Sequence, residues 1–123
     1  MLKIAHTNFN VLDLSRSLTF YKEALGLKEV RRKEQPGKFL LVFLSDGTTE
    51  HQVELTYLYD RTEPYDLSDN EIHLAFYTDE FENDLSRHQQ MGIVCQYEQG
   101  KNLYFIEDPD GYWIEIIKAK GTV

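Results

Sequence analysis

The sequence predicts an α+β fold made of two βαβββ modules, residues 1–60 and 70–120, within a single domain spanning 1–123. Three observations lead to this prediction. One strand-like run, one amphipathic helix and three further strand-like runs occur twice in that order, with a period of roughly sixty residues. A glycine follows each predicted helix, Gly26 in the first module and Gly92 in the second. A length of 123 residues is that of one ordinary domain and is sufficient to bury a core.

The first module begins with a strand-like run at 2–9, after which Asp13 is placed to cap a helix. The apolar positions of this helix recur at helical spacing and predict one buried face, formed by Leu14, Leu18, Tyr21 and Leu25. Gly26 is placed to end the helix. Three strand-like runs follow at 27–32, 39–45 and 51–59, separated by turn signals at 35–37 and 46–47.

The second module repeats that order. A strand-like run at 71–77 precedes a helix, for which Asp79 and Glu82 have the spacing of a capping box. The predicted buried face of this helix carries Phe81, Leu85 and Met91. Strand-like runs follow at 93–97, 103–107 and 112–118, with a strong turn signal at 108–111. The stretch 59–69 contains a proline and four acidic residues and is predicted to link the modules.

Composition excludes several classes of protein. The net charge of −8 argues against a nucleic-acid partner, and no apolar run is long enough to span a membrane. The single cysteine, Cys95, cannot form an intramolecular disulfide, and no secretory signal is visible, so we predict a cytoplasmic protein. We expect Cys95 to act as a small apolar residue, and His51 and His88 to face solvent.

Each module has a histidine near its start and a glutamate near its end. These are His6 and Glu54 in the first module and His73 and Glu115 in the second. A single histidine in a strand is usually a hydrogen-bonded residue with no further role, and a single glutamate usually faces solvent. Polar side chains in apolar strands are costly to bury without a partner, however, and the repetition of the pair suggests a shared one. Two imidazoles and two carboxylates suit a divalent metal ion such as Ni²⁺, Co²⁺, Zn²⁺ or Fe²⁺.

Short motifs extend this pattern along nearly the whole chain. Those of the first module are His6-Thr7, Phe20-Tyr21, Leu25-Gly26-Leu27 and Glu54-Leu55-Thr56-Tyr57. Those of the second are His73-Leu74-Ala75-Phe76 and Glu107-Asp108-Pro109-Asp110-Gly111. With these motifs the chain resembles the glyoxalase I (lactoylglutathione lyase) family of the vicinal oxygen chelate superfamily. The resemblance implies a half-barrel of two modules, and it maps the family's metal ligands onto His6, Glu54, His73 and Glu115.

The resemblance also implies an activity. Glyoxalase I isomerises the hemithioacetal of methylglyoxal and glutathione to a lactoyl thioester, with one Ni²⁺, Co²⁺ or Zn²⁺ ion per site. By family position, Glu115 is the candidate base that moves the proton and Glu54 is its symmetric counterpart, and the sequence does not separate their roles. The family further implies a homodimer whose sites lie at the subunit interface.

Binding of the thiol is where the chain departs from this family. Asn10 stands where glutathione-using members carry an arginine, and Leu58 stands where they commonly carry an asparagine. An arginine–carboxylate pair is hard to replace with asparagine. Asn10 and Lys101 are nevertheless the candidate substrate-binding residues. Two alternatives stay open: another metal-dependent enzyme of the superfamily (acting on a different thiol, or as an epimerase, thiol transferase or dioxygenase), and a non-enzymatic ligand-binding protein of the same fold.

Overall fold

Each predicted module forms one four-stranded sheet with one helix. The computed structural model describes residues 1–120 and divides the chain into an N-terminal unit, Met1–Asp66, and a C-terminal unit that begins at Leu67. Each unit contains one module, so the α+β fold with two βαβββ modules is confirmed. The boundary between the units lies inside the predicted linker 59–69. That the two units make one domain of 1–123 stays a prediction.

The N-terminal unit has the strand order β1-β4-β3-β2. Its elements are β1 His6–Val11, α1 Leu14–Leu25, β2 Lys28–Gln35, β3 Phe39–Ser45 and β4 Gln52–Leu58. β1 runs parallel to β4, and the other neighbours are antiparallel. β1 begins later than predicted because its ladder with β4 begins where His6 pairs with Gln52. β2 is longer than predicted because it pairs with β3 as far as Gln35, opposite Phe39.

Helix α1 begins and ends at the predicted residues. Asp13 is the N-cap, and its Oδ1 accepts a hydrogen bond from the N–H of Arg16 at 3.1 Å. Gly26 is the C-cap with φ of 69°, a left-handed conformation that glycine adopts without steric cost. The Gly26 N–H donates to the carbonyl of Lys22 at 2.9 Å and so satisfies one of the last helical acceptors.

The buried face of α1 is rotated from the predicted one. Its buried residues are Ser17, Phe20, Tyr21 and Ala24. The predicted Leu14, Leu18 and Leu25 are only half-buried. The ring of Tyr21 stacks on that of Phe9 in β1, with 6.1 Å between centroids, so this side of the helix faces the sheet. Periodicity correctly predicted the helix, but several apolar residues border its buried face and do not form it.

The C-terminal unit has the equivalent strand order β5-β8-β7-β6. Its elements are β5 Leu74–Thr78, α2 Phe81–Gln90, β6 Val94–Tyr97, β7 Leu103–Glu107 and β8 Trp113–Lys118. β5 pairs in parallel with β8 from Leu74, opposite Ile114, so the prediction that His73 lies inside this strand is wrong. Neither α1 nor α2, the two α-helices within residues 1–120, is long and apolar enough to cross a membrane.

The capping box predicted from Asp79 and Glu82 is wrong. The N-cap of α2 is Glu80, whose side chain makes no capping hydrogen bond. Thr78 takes over this role from the end of β5. Its Oγ1 accepts a hydrogen bond from the Glu80 N–H at 3.0 Å and donates one to Asp84 Oδ2 at 2.6 Å. A strand residue therefore ties down the start of this helix.

The buried face of α2 also differs from the prediction. Met91 is the C-cap and is exposed, whereas His88, predicted to face solvent, is 1% exposed. His88 Nδ1 lies 2.7 Å from the hydroxyl of Tyr104 in β7, and Tyr104 is itself fully buried. Burial, and secondly the Asp84 carboxylate, raise the pKa of Tyr104. The hydroxyl thus keeps its proton and can satisfy the imidazole inside the core.

We expect Tyr104→Phe to lower the free energy of unfolding by about 1–3 kcal/mol, because His88 Nδ1 loses this buried hydrogen bond. The ring and its packing remain, so the loss is that of one polar contact. Urea unfolding followed by circular dichroism measures it. Tyr77→Phe is the matched control, since Tyr77 is 77% exposed, and it should change stability by less than about 0.5 kcal/mol. Equal stability of both variants would contradict the importance of this contact.

Candidate metal and substrate site

In the N-terminal unit, β1 and β4 place His6 and Glu54 on the same face of the sheet. Asn8 pairs with Glu54 across the two strands, and His6 lies two residues before Asn8 and therefore on its face. His6 Nε2 is 3.3 Å from Glu54 Oε1. Glu54 is 9% exposed, and a carboxylate buried to this extent needs polar or charged partners.

The surroundings of this pair are partly aromatic and partly amide. The imidazole of His6 meets the ring of Phe43 edge-on, with 5.6 Å between centroids, and Phe43 pairs with Glu54 across β3 and β4. When its amide is turned over, the nitrogen of Asn8 donates to Glu54 Oε1 at 3.1 Å and to Thr56 Oγ1 at 2.5 Å. One side of the Glu54 carboxylate is thus held by an amide while another side faces His6.

The C-terminal unit builds the same arrangement from equivalent residues. His73 Nε2 is 3.0 Å from Glu115 Oε1. The imidazole of His73 meets the ring of Phe105 edge-on, with 5.0 Å between centroids, and Phe105 pairs with Glu115 across β7 and β8. The internal repeat therefore includes a phenylalanine that the sequence analysis missed. This phenylalanine could have been recognised in the sequence, because Phe43 and Phe105 precede the two glutamates at nearly the same spacing.

The two ring nitrogens of His73 have different partners. Nδ1 lies 2.9 Å from the backbone carbonyl of Glu71, and a carbonyl can only accept, so Nδ1 carries a proton. In the neutral ring, Nε2 then has only a lone pair, and it faces the carboxylate of Glu115. Two acceptors at this distance repel each other unless a proton or a metal ion lies with them.

The separation of nitrogen and oxygen in each pair fits neighbouring ligands of one metal ion. Ligands about 2.1 Å from an ion and at right angles to each other are about 3.0 Å apart. Imidazole and carboxylate are also the donors that first-row divalent ions accept. Within residues 1–120 no three His, Cys, Asp or Glu side chains are placed together to hold a metal ion. Each unit by itself supplies two.

Beside His73 and Trp113 the C-terminal unit has a cavity of about 480 Å³. It is lined by Asp69, Asn70, Glu71, His73, Phe105 and Trp113. The rings of Phe105 and Trp113 lie 5.3 Å apart and supply its apolar part.

The predicted substrate residues lie in different places. Asn10 shares the face of His6 and Glu54, and its side chain is 2.7 Å from that of Asn8. Leu58 ends β4 on that same face and is half-buried. Lys101 is exposed in the turn between β6 and β7, where its Nζ is 3.8 Å from Glu98.

Two further residues singled out in the sequence are accounted for within the fold. Burial, and secondly the charge of Glu107, raise the pKa of the Cys95 thiol to about 11, which fits an apolar role and not a nucleophile. His51 Nε2 lies 2.7 Å from Thr7 Oγ1 and is only partly exposed, so it has a structural partner. Neither residue belongs to the two histidine–glutamate pairs.

Comparison with known proteins identifies the family of this chain. Residues 3–116 match the family model described as the Glyoxalase/Bleomycin resistance protein/Dioxygenase superfamily. A lactoylglutathione lyase of Neisseria meningitidis is 38% identical, with 97% of this chain and 92% of that protein covered. The lactoylglutathione lyase of Salmonella typhimurium is also 38% identical, with 97% and 94% covered.

Solved structures lead to the same family. The trypanothione-dependent glyoxalase I of Leishmania major superposes with a TM-score of 0.85 at 30% identity, over 96% of this chain and 87% of that one. Matches of this identity and coverage go beyond a shared fold, since both sequence and nearly complete architecture agree. The chain belongs to the glyoxalase I (lactoylglutathione lyase) family within the Glyoxalase/Bleomycin resistance protein/Dioxygenase superfamily.

Proposed function

We propose that this protein is a metal-dependent lactoylglutathione lyase, which converts the hemithioacetal of methylglyoxal and glutathione to a lactoyl thioester. The observation that carries the proposal is the twofold placement of an imidazole nitrogen beside a carboxylate oxygen, at 3.3 Å in one unit and 3.0 Å in the other. The names of the bacterial relatives at 38% identity support this same reaction.

The proposed metal ligands are His6, Glu54, His73 and Glu115, and the ion is Ni²⁺, Co²⁺ or Zn²⁺. When bound, a divalent ion supplies positive charge that polarises the substrate oxygens. Each unit by itself supplies two of these four ligands. We propose that a homodimer assembles four-ligand sites at its subunit interface.

The proposed reaction moves one proton between two neighbouring carbons. Glu115 accepts the proton from the carbon that bears the hydroxyl and sulfur, and the electron pair of that C–H bond moves toward the adjacent carbonyl carbon. Glu115 then returns the proton to this second carbon, which becomes the alcohol carbon of the lactoyl group. The proton of the first carbon's hydroxyl passes to the oxygen on the second carbon, so the first carbon ends as the thioester carbonyl and the second carries the hydroxyl. With both proton transfers, atoms and charge balance without any further reactant.

Glu115 is better placed than Glu54 to exchange a proton. The Glu54 carboxylate faces His6 and also accepts from the Asn8 amide in its turned orientation. Each additional donor occupies a lone pair of the carboxylate that a substrate proton would otherwise reach. Glu115 Oε1 faces His73 and has Ala75 beside it across β5 and β8, where the first unit has Asn8. Glu54 is then a metal ligand that occupies the equivalent position in the first module but does not act as the base.

Removal and restoration of the metal tests the function. We expect metal-stripped protein to form no thioester from methylglyoxal and glutathione, and at least one of Ni²⁺, Co²⁺ and Zn²⁺ to restore the activity. The absorbance of the thioester follows the reaction, and metal analysis of the same samples gives the occupancy. Full occupancy with no thioester for all three ions would reject the proposed reaction. We propose a cytoplasmic location on the basis of the single cysteine.

A further inference from the structure

Strand β2 brings an arginine to the face of the N-terminal sheet that holds His6 and Glu54. Arg31 pairs with Phe43 across β2 and β3, and Phe43 pairs with Glu54 across β3 and β4. Residues paired across neighbouring strands point to the same face of a sheet. Two strand spacings, about 10 Å in total, separate the backbone of Arg31 from that of Glu54.

The guanidinium of Arg31 is held on an aromatic ring that also contacts a proposed metal ligand. Its Cζ lies 4.0 Å from the centroid of the Phe43 ring, and the edge contact of His6 is made with this same ring. Such stacking orders the guanidinium plane while leaving its N–H groups available. No carboxylate of residues 1–120 forms an ion pair with Arg31, and the residue is exposed.

Arg32, the next residue, differs from Arg31 in the face of the sheet to which it points and in its ion pairing. It points to the opposite face of the sheet, and its guanidinium donates two hydrogen bonds to the Glu29 carboxylate, at 2.6 and 2.9 Å. Those bonds lower the pKa of Glu29 and raise that of Arg32. One arginine of β2 is therefore engaged within the protein, while the other presents a free fork of donors beside the proposed site.

The second module has no equivalent cation at this place. Gln96 pairs with Phe105 as Arg31 pairs with Phe43. The two modules thus agree in their histidine, glutamate and phenylalanine and differ in this one charge. A cation carried by only one of the two modules can bind an anionic group at that module and not at the other.

We propose that Arg31 binds a carboxylate of the thiol portion of the substrate and thereby selects a carboxylate-bearing thiol such as glutathione. This inference rests on the proposed function. A carboxylate one residue away from the thiol-bearing residue can reach about 7 Å, which suits a guanidinium held over Phe43, on the strand next to that of Glu54. Two parallel N–H···O bonds from the guanidinium give the carboxylate both affinity and orientation. The uncharged Asn10 then does not have to supply the contact with the carboxylate.

Binding of S-hexylglutathione to the metal-loaded protein, measured by isothermal titration calorimetry, tests this role without turnover. We expect Arg31→Gln to raise the Kd by about 10- to 100-fold, the usual size for loss of a charged hydrogen bond. Arg32→Gln removes the same charge from the same strand on the other face, and it should leave the Kd within about twofold. Arg31→Lys should lie between, since it keeps the charge without the fork.

A ligand without carboxylates separates recognition of the carboxylate from a general effect on the protein. We expect wild type and Arg31→Gln to bind the diethyl ester of S-hexylglutathione equally, with unchanged metal content and melting temperature. An unchanged Kd for the free acid in Arg31→Gln, or an equal loss for the ester, would overturn the assignment.

Failure of this proposal differs from failure of the proposed function. Arg31-dependent binding by a protein that forms no thioester would reject the reaction and retain the role of Arg31. Thioester formation with the same KM in wild type and Arg31→Gln would support the reaction and reject the role of Arg31. In the positive case the variant should show a raised KM with kcat changed little, because the carboxylate contact is made equally in the ground state and the transition state.

Discussion

Glu115→Gln should lower kcat for thioester formation by about 10²- to 10⁴-fold, the usual contribution of a positioned general base. The amide has nearly the size of the carboxylate but cannot accept the proton at neutral pH. Glu115 is half-buried and faces His73, so the substitution changes chemistry more than packing. Initial rates with metal-loaded protein measure the effect, and the melting temperature shows whether the fold is retained.

Two comparisons make this experiment specific. Glu82→Gln makes the same chemical change at an exposed position of α2 and should keep the wild-type rate. Glu54→Gln should lose metal affinity but retain more activity than Glu115→Gln once the metal site is filled. Near wild-type turnover by Glu115→Gln would remove Glu115 from the role of base. Greater loss in Glu54→Gln at equal occupancy would assign that role to Glu54.

His73→Ala should weaken metal binding strongly. Loss of an outer partner of a metal ligand typically costs about 10- to 100-fold in affinity, and we expect loss of the ligand itself to cost more. The substitution removes the Nε2 that faces Glu115, together with the Nδ1 that is anchored on the Glu71 carbonyl. The ratio of metal to protein after dialysis, measured by elemental analysis, should fall well below that of the wild type.

His51→Ala is the matched control for metal content. It removes an imidazole that contacts Thr7 and belongs to neither histidine–glutamate pair, so we expect the wild-type ratio of metal to protein. If His73→Ala also keeps that ratio, the assignment of four ligands fails, because a lost nitrogen donor should not leave affinity unchanged. The two variants together separate loss of a ligand from loss of any histidine.

Much of the fold could be predicted because its signals are local. β3 and β7 have the predicted bounds, since each is a compact apolar run bounded by turns. The caps of α1 follow from single residues, Asp13 and Gly26, whose chemistry favours those positions. Both histidine–glutamate pairs were also predictable, because the repeat drew attention to residues that are uninformative one at a time.

The remaining features depend on which strands become neighbours. His88 looked like a solvent-facing residue of a polar helix, but the buried hydroxyl of Tyr104 gives its imidazole a partner inside the core. The contact of Arg31 with Phe43 requires the antiparallel register of β2 and β3, which a shift of one residue would reverse. Neither contact has a signature in the sequence alone.

The edge position of β2 has a consequence for aggregation. An edge strand exposes unpaired backbone groups that can recruit the edge of another molecule, and charged side chains discourage this. All eight residues of β2 are exposed, and six of them in KEVRRKEQ are charged. Stacking two such edges would bring like charges together and strip them of water. The arginine proposed to recognise a substrate therefore belongs to a strand that also protects the protein against edge-to-edge fibres.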